Sequence, residues 1–164
     1  SSETGLTYIK RNADFEQLMP YIQISNTSVL IAEDIEWIAP DSLNAQAKTQ
    51  QDLLDSWRLA WMSGDADAYL DFYHPQFRAP NLKMNLRKWK HYKKSINHDK
   101  NFIDVNISQV KLLWQESYLY MSFYQHYRSD NYADEGVKVL VWKNEGGRWL
   151  IYRELWSPAD ITKR

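Results

Sequence analysis

Four polar side chains in this 164-residue chain are placed to act together: Gln125, Tyr127, Lys138 and Glu154. Strand parity puts Gln125, Tyr127 and Lys138 on one face, with Glu154 beside Lys138 on the neighbouring strand. A lysine and a glutamate so placed form either a cross-strand ion pair or polar contacts for a ligand. Trp57, Trp61, Tyr69, Tyr73 and Trp89 recur at helical spacing around them. Such stripes usually fill a core, but Trp and Tyr carry polar tips that can line a cavity mouth. For proton transfer the candidates are Asp71, His74 and His126. Asp71 is expected on the polar side of a short helix, His74 in a turn before Pro75, and His126 on the strand face away from Gln125. No pair has a spacing that compels acid–base work, so no catalytic residue is assigned. His91 and His98 stand seven apart, with no His-x-x-x-His and no cysteine, so neither a metal site nor another cofactor is expected.

The composition narrows the classes further. Twenty Lys and Arg nearly balance 21 Asp and Glu, which argues against a nucleic-acid binder. The span from Lys83 to Lys100 is locally basic, with Trp89 and Tyr92 interleaved. Lysine stems covering apolar helix surface account for it better than phosphate contacts do. Eight Trp and eleven Tyr supply ring surface for a core, a pocket or an interface. The lack of cysteine excludes disulfides and a thiol nucleophile. No apolar run reaches the roughly 18 residues a membrane helix needs. The chain opens Ser1-Ser2-Glu3 without Met or a signal peptide and reads as a processed or excised piece.

A seam in the chain falls near Pro40. Before it lie a helical pattern over Ala13 to Tyr21 and an apolar run from Val29-Leu30-Ile31 to Trp37-Ile38. After it, Ser42 is placed to cap a helix reaching Gly64, with Leu53, Leu54, Trp57, Ala60 and Trp61 on one face. Asp65 caps a second, short helix ended by His74-Pro75, and a loop through Pro80 leads to a third. There Leu86, Trp89, Lys93 and Ile96 share a face, and Arg87, Lys88, Lys90 and Lys94 look outward. From Phe102 the period changes to two. Runs ending near Trp114, then over Tyr118–Arg128, Gly136–Lys143 and Arg148–Trp156, are joined by connections short enough to require antiparallel neighbours. Helices first and a four-strand meander afterwards predict an α+β fold.

Both faces of that meander are apolar or aromatic. Leu119, Met121 and Phe123 oppose Tyr118, Tyr120 and Tyr124, and Leu140 and Trp142 oppose Val137, Val139 and Val141. Helices can cover one face, so the pattern predicts a homodimer through the other.

Ser56-Trp57-Arg58-Leu59-Ala60-Trp61-Met62-Ser63-Gly64-Asp65, Tyr69-Leu70-Asp71-Phe72-Tyr73, Phe123-x-Gln125-x-Tyr127, Lys138-x-Leu140 and Trp149-x-Ile151 through Glu154 together resemble NTF2-like (SnoaL/cystatin-like) domains. The order is most similar to those found C-terminal to bacterial L,D-transpeptidase (YkuD) cell-wall proteins. Upstream, Arg11-Asn12-Ala13-Asp14-Phe15-x-x-Leu18 and Asn26-Thr27-Ser28-Val29-Leu30-Ile31 resemble the end of a YkuD domain. This divides the chain into a stub over 1–40 and an NTF2-like domain over 41–164.

The resemblance implies helices packed on a curved four-stranded sheet, a cone enclosing a pocket. Trp57, Trp61, Tyr73, Trp89, Gln125, Tyr127, Lys138 and Glu154 are the pocket candidates, and a peptidoglycan fragment or another small ligand is the implied occupant. It also implies a periplasmic or cell-envelope setting. The YkuD cysteine position falls on Thr7, whose hydroxyl cannot replace a thiolate without a dedicated base. The chain is therefore expected to be a non-catalytic accessory module. The alternative is a small-molecule isomerase or cyclase of the same fold, using a pocket Asp or His.

Overall fold

The computed structural model describes residues 6–11, 35–37, 44–115 and 117–159. The helical pattern over Ala13 to Tyr21, the run at Val29-Leu30-Ile31 and the cap at Ser42 lie outside them. Helix α1 (Asn44–Ser63) turns Leu54, Trp57 and Trp61 inward, as the apolar spacing requires. Gly64 ends it at φ +79°, a left-handed conformation that glycine adopts without strain. The Asp65 carboxylate then accepts the Ala68 N–H and caps α2 (Ala66–Leu70). Asn85 caps α3 (Leu86–Asn97) in the same way, accepting from Lys88 N–H.

Strands β1 (Leu6–Arg11) and β2 (Ile35–Trp37) precede the helices. Strands β3 (Tyr73–Ala79) and β4 (Met84–Asn85) lie between α2 and α3. The meander is β5 (Ile103–Gln115), β6 (Tyr118–Ser129), β7 (Ala133–Glu145) and β8 (Arg148–Pro158). Gly146 and Gly147, at φ +61° and +82°, form the tight β7–β8 turn. All the described strands join one sheet in the order β2-β1-β5-β6-β7-β8-β3-β4. The sheet thus has six strands from residue 44 onward, not the four expected. His74 correspondingly lies in a strand rather than a turn. The period-two signal of β3 is broken by Pro75, and its parallel pairing with β8 is irregular between Tyr73 and Arg78.

The main core fills the space between the helices and one sheet face, with Trp57, Tyr69, Phe77, Phe123, Leu140 and Trp142 at its centre. The opposite face carries a second cluster of Tyr120, Val139, Val141 and Leu155. All four are buried within a single chain. The apolar pattern that suggested a second copy therefore does not by itself require one.

An irregularity in the β7–β8 pairing positions the polar residues. Val141 pairs with Arg153, but Trp142 pairs with Ile151, leaving Tyr152 as an extra residue. A bulge of this kind lets Ile151 and Glu154, which simple alternation would send to opposite faces, both turn into the core.

Candidate functional site

The open end of the cone holds a cavity of about 680 Å³, within the size range of small-ligand pockets. Helix α1 supplies Trp61, and α3 supplies Trp89, Tyr92, Lys93 and Ile96. From the sheet come Gln125 and Tyr127 of β6, Asp134 and Lys138 of β7, and Glu154 and Trp156 of β8. Six of the eight sequence-predicted pocket residues therefore meet there: Trp61, Trp89, Gln125, Tyr127, Lys138 and Glu154.

Trp57 and Tyr73 do not line the cavity but stand behind it. The Trp57 indole N–H donates to the Tyr73 hydroxyl at 3.2 Å, and that hydroxyl donates to Glu154 Oε1 at 2.7 Å. The Tyr69 and Tyr73 hydroxyls share a further bond of 2.9 Å. Since the single proton of Tyr73 is directed to Glu154, Tyr69 supplies the proton of that bond. Burial and the nearby Glu154 charge push both phenols well above their ordinary pKa, so they remain donors.

Glu154 Oε2 in turn faces Lys138 Nζ at 2.9 Å, with side chains 2% and 5% exposed. The partners are diagonal across the β7–β8 ladder, for Lys138 pairs with Trp156 and Glu154 with Leu140. The Lys138 ammonium also lies 4.9, 5.4 and 5.8 Å from the ring centres of Trp61, Trp156 and Trp57. The expected cross-strand ion pair and the expected polar cavity floor are thus one arrangement. Such a pair offsets its own desolvation only when well bonded, and its value lies in fixing a geometry.

Three unpaired atoms stand out beside it. Gln125 Oε1 and the indole nitrogens of Trp61 and Trp89 are buried without a hydrogen-bond partner among the described residues. Each belongs to a cavity-lining residue. Unsatisfied buried polar atoms are costly, and these three would offer a ligand in the cavity hydrogen bonds.

The sequence signals missed Lys93, Asp134 and Trp156. Lys93 occupied an apolar helix position, a signal that could have drawn attention to it. Burial and the Lys138 charge push its pKa down to about 7. Asp134 precedes Gly136, where the strand had been expected to begin. Burial raises its carboxyl pKa, and the Tyr132 hydroxyl donates to it at 3.1 Å. Trp156 stands two residues beyond Glu154 in regular register and so shares its face, opposite Lys138.

None of the proton-transfer candidates lines the cavity. Asp71 is exposed, 3.5 Å from Arg148. His74 is buried elsewhere: its Nδ1 accepts the Gln76 N–H, so Nε2 carries the proton donated to Glu145 at 2.8 Å. His126 is exposed and 3.2 Å from Glu135. Among the described residues, no three His, Asp or Glu side chains group as metal ligands.

The fold has counterparts among solved structures. Bd1075 of Bdellovibrio bacteriovorus is 28% identical, with a TM-score of 0.71 over 90% of this chain and 52% of that one. A mutant of Pgp2 from Campylobacter jejuni, a helical cell shape determining protein, is 30% identical, with a TM-score of 0.55 over 62% of this chain and 37% of that one. The chain spans about half the length of the first and little more than a third of the second. An NTF2-like protein of Pseudomonas putida KT2440 shares the fold at 13% identity, with a TM-score of 0.62 over 73% of this chain and 92% of that one. Comparison with curated protein sequences gave no match. Residues 49–155 match the family model for the Cds6 C-terminal NTF2-like domain. The chain belongs to the Cds6 C-terminal NTF2-like domain family.

Proposed function

We propose that this domain is a non-catalytic accessory module of a bacterial cell-envelope, peptidoglycan-modifying protein, and that its cavity binds a peptidoglycan fragment. The observation that carries this reading is the cavity itself: aromatic walls, a fixed Lys138–Glu154 floor and unpaired polar atoms. Sugar rings and peptide groups match such walls, one face apolar and the edges polar. The description of Pgp2 as a cell-shape determinant supports the envelope setting. A periplasmic location and the division into a YkuD-like stub over 1–40 and a domain over 41–164 belong to the same proposal.

A homodimer through the outer sheet face is a separate proposal. Tyr120, Val139, Val141 and Leu155 are already buried, so the contact would have to form over their surroundings. Light scattering that gives the mass of one chain would end it. The enzymatic alternative has one observation in its favour, the raised carboxyl pKa of Asp134 at the cavity. Unchanged muropeptide after long incubation with the protein is the outcome that favours binding over turnover.

Binding itself is tested by co-sedimentation with purified sacculi at low and moderate salt, and by calorimetry with soluble muropeptides. Gln125→Leu removes an unpaired buried carbonyl, so folding stability should hold or rise by about 1 kcal/mol. Muropeptide affinity should fall about tenfold, equivalent to ~1.4 kcal/mol. Failure of the unaltered protein to bind sacculi and muropeptides would overturn the reading.

A further inference from the structure

Among the described residues, Lys93 is the buried cavity cation that has no anionic partner in contact. The residue is 6% exposed, and its ammonium lies 4.6, 5.0 and 5.9 Å from the ring centres of Trp61, Trp89 and Tyr69. The acids around it are engaged elsewhere. On β8, Glu154 holds Lys138 and accepts from Tyr73. On β7, Asp134 accepts from Tyr132. On α2, Asp67 lies 3.4 Å from Lys94, at the solvent side. The remaining charged neighbours are cations: Lys138 across the cavity and Lys100 at its mouth, hydrogen-bonded to Asn131. The phenols of Tyr69, Tyr92 and Tyr127 complete the titratable surroundings. Ring faces stabilise a cation but do not neutralise it.

We propose that Lys93 makes this cavity a proton-coupled anion site, in which a ligand carboxylate seated against Lys93 Nζ brings one proton onto the amine. The proton comes from solvent, no covalent bond changes, and the product is an ammonium–carboxylate pair resting on Trp61 and Trp89. The inference deepens the cavity-binding reading and rests on it for the existence of a ligand. Buried beside Lys138, the amine of the empty cavity titrates at about 7. A carboxylate in contact raises that value back toward the ordinary lysine range.

The sign of the pH dependence follows. Below the empty-state value Lys93 is charged in both states, and binding takes up no proton. Above it the empty cavity holds a neutral amine and the filled one an ammonium. Affinity should then fall about tenfold per pH unit from neutral into the alkaline range. At pH 8 uptake should approach about 0.9 proton per ligand, and at pH 6 it should be near zero.

The test uses two carboxylates, a soluble muropeptide and phenylacetate. Calorimetry in buffers of different ionisation heat gives proton uptake, and the Lys93 Cε resonance gives the titration directly. Lys93→Arg keeps the cation at every pH, so it should retain binding and lose the pH dependence. Lys93→Met should lose both. The arginine variant also separates Lys93 from any share carried by Asp134. Muropeptide binding with equal affinity from pH 6 to 9 and no proton uptake would overturn the inference and leave the binding reading standing. Proton-coupled phenylacetate binding without muropeptide binding would keep the inference and overturn the wall-ligand reading. If neither probe binds, both fall.

Discussion

Lys138→Met is expected to cost about 3–5 kcal/mol of folding stability, because it strands a buried carboxylate. Glu154 is 2% exposed and has two attractive contacts, Lys138 at 2.9 Å and the Tyr73 hydroxyl at 2.7 Å. A neutral thioether fills the lysine's volume but leaves the carboxylate with one hydrogen bond. The carboxylate must then be protonated, recruit water or leave the core, and each costs free energy. The double change Lys138→Met with Glu154→Leu removes both charges and should recover most of the loss. Urea unfolding of the two single variants and the double gives the coupling directly. A single-variant loss below about 1 kcal/mol would mean that water already reaches the pair. Muropeptide affinity should remain low in the double variant even where stability returns, since the cavity floor is gone.

Trp57→Ala should destabilise the domain by a similar amount, about 3–5 kcal/mol, through a different cause. Trp57 is fully buried, with ring centres 5.3 Å from Trp61 and 6.0 Å from Phe123. Its removal opens a cavity between α1 and the sheet that so many rigid rings cannot close. Trp57→Phe separates packing from hydrogen bonding. It keeps most of the buried ring but removes the N–H that Tyr73 accepts, for an expected cost of about 1 kcal/mol. Since Tyr73 carries that contact on to Glu154, the Phe variant should also weaken ligand binding. Far-ultraviolet circular dichroism in denaturant follows both variants without relying on tryptophan fluorescence. A Trp57→Ala protein within about 1 kcal/mol of the parent would remove Trp57 from the support of the site.

The sequence was most legible where period and punctuation agree. The four meander strands announce themselves by alternation, and Gly146-Gly147 marks the turn between the last two. Asp65 and Gly64 mark a helix junction by their own backbone chemistry. Strand β3 was not legible, because Pro75 interrupts it and its parallel partner, β8, is far downstream, Tyr73 pairing with Ile151 and Arg78 with Arg153. A short strand of this kind draws its conformation from such partners rather than from local preference. The site was legible to the same degree. Parity on regular strands brought Gln125, Tyr127 and Lys138 together, whereas a bulge decides what stands next to Glu154. Helical spacing identified the aromatic stripe but could not separate Trp61 and Trp89, which face the cavity, from Trp57 and Tyr73 behind it. Lys93 was visible as an oddity on an apolar face, but its isolation from every acid depends on three elements meeting.

The central claim is that the aromatic cavity is where this domain takes its ligand. Chemical-shift mapping with a soluble muropeptide, on protein labelled at backbone amides, tryptophan indoles and lysine side chains, tests it most directly. The expected shifts fall on Trp61, Trp89, Lys93, Gln125 and Lys138, with Tyr118 and Tyr152 on the outer face unmoved. Saturable shifts on the outer face, or none at ligand concentrations that saturate sacculus binding, would contradict it.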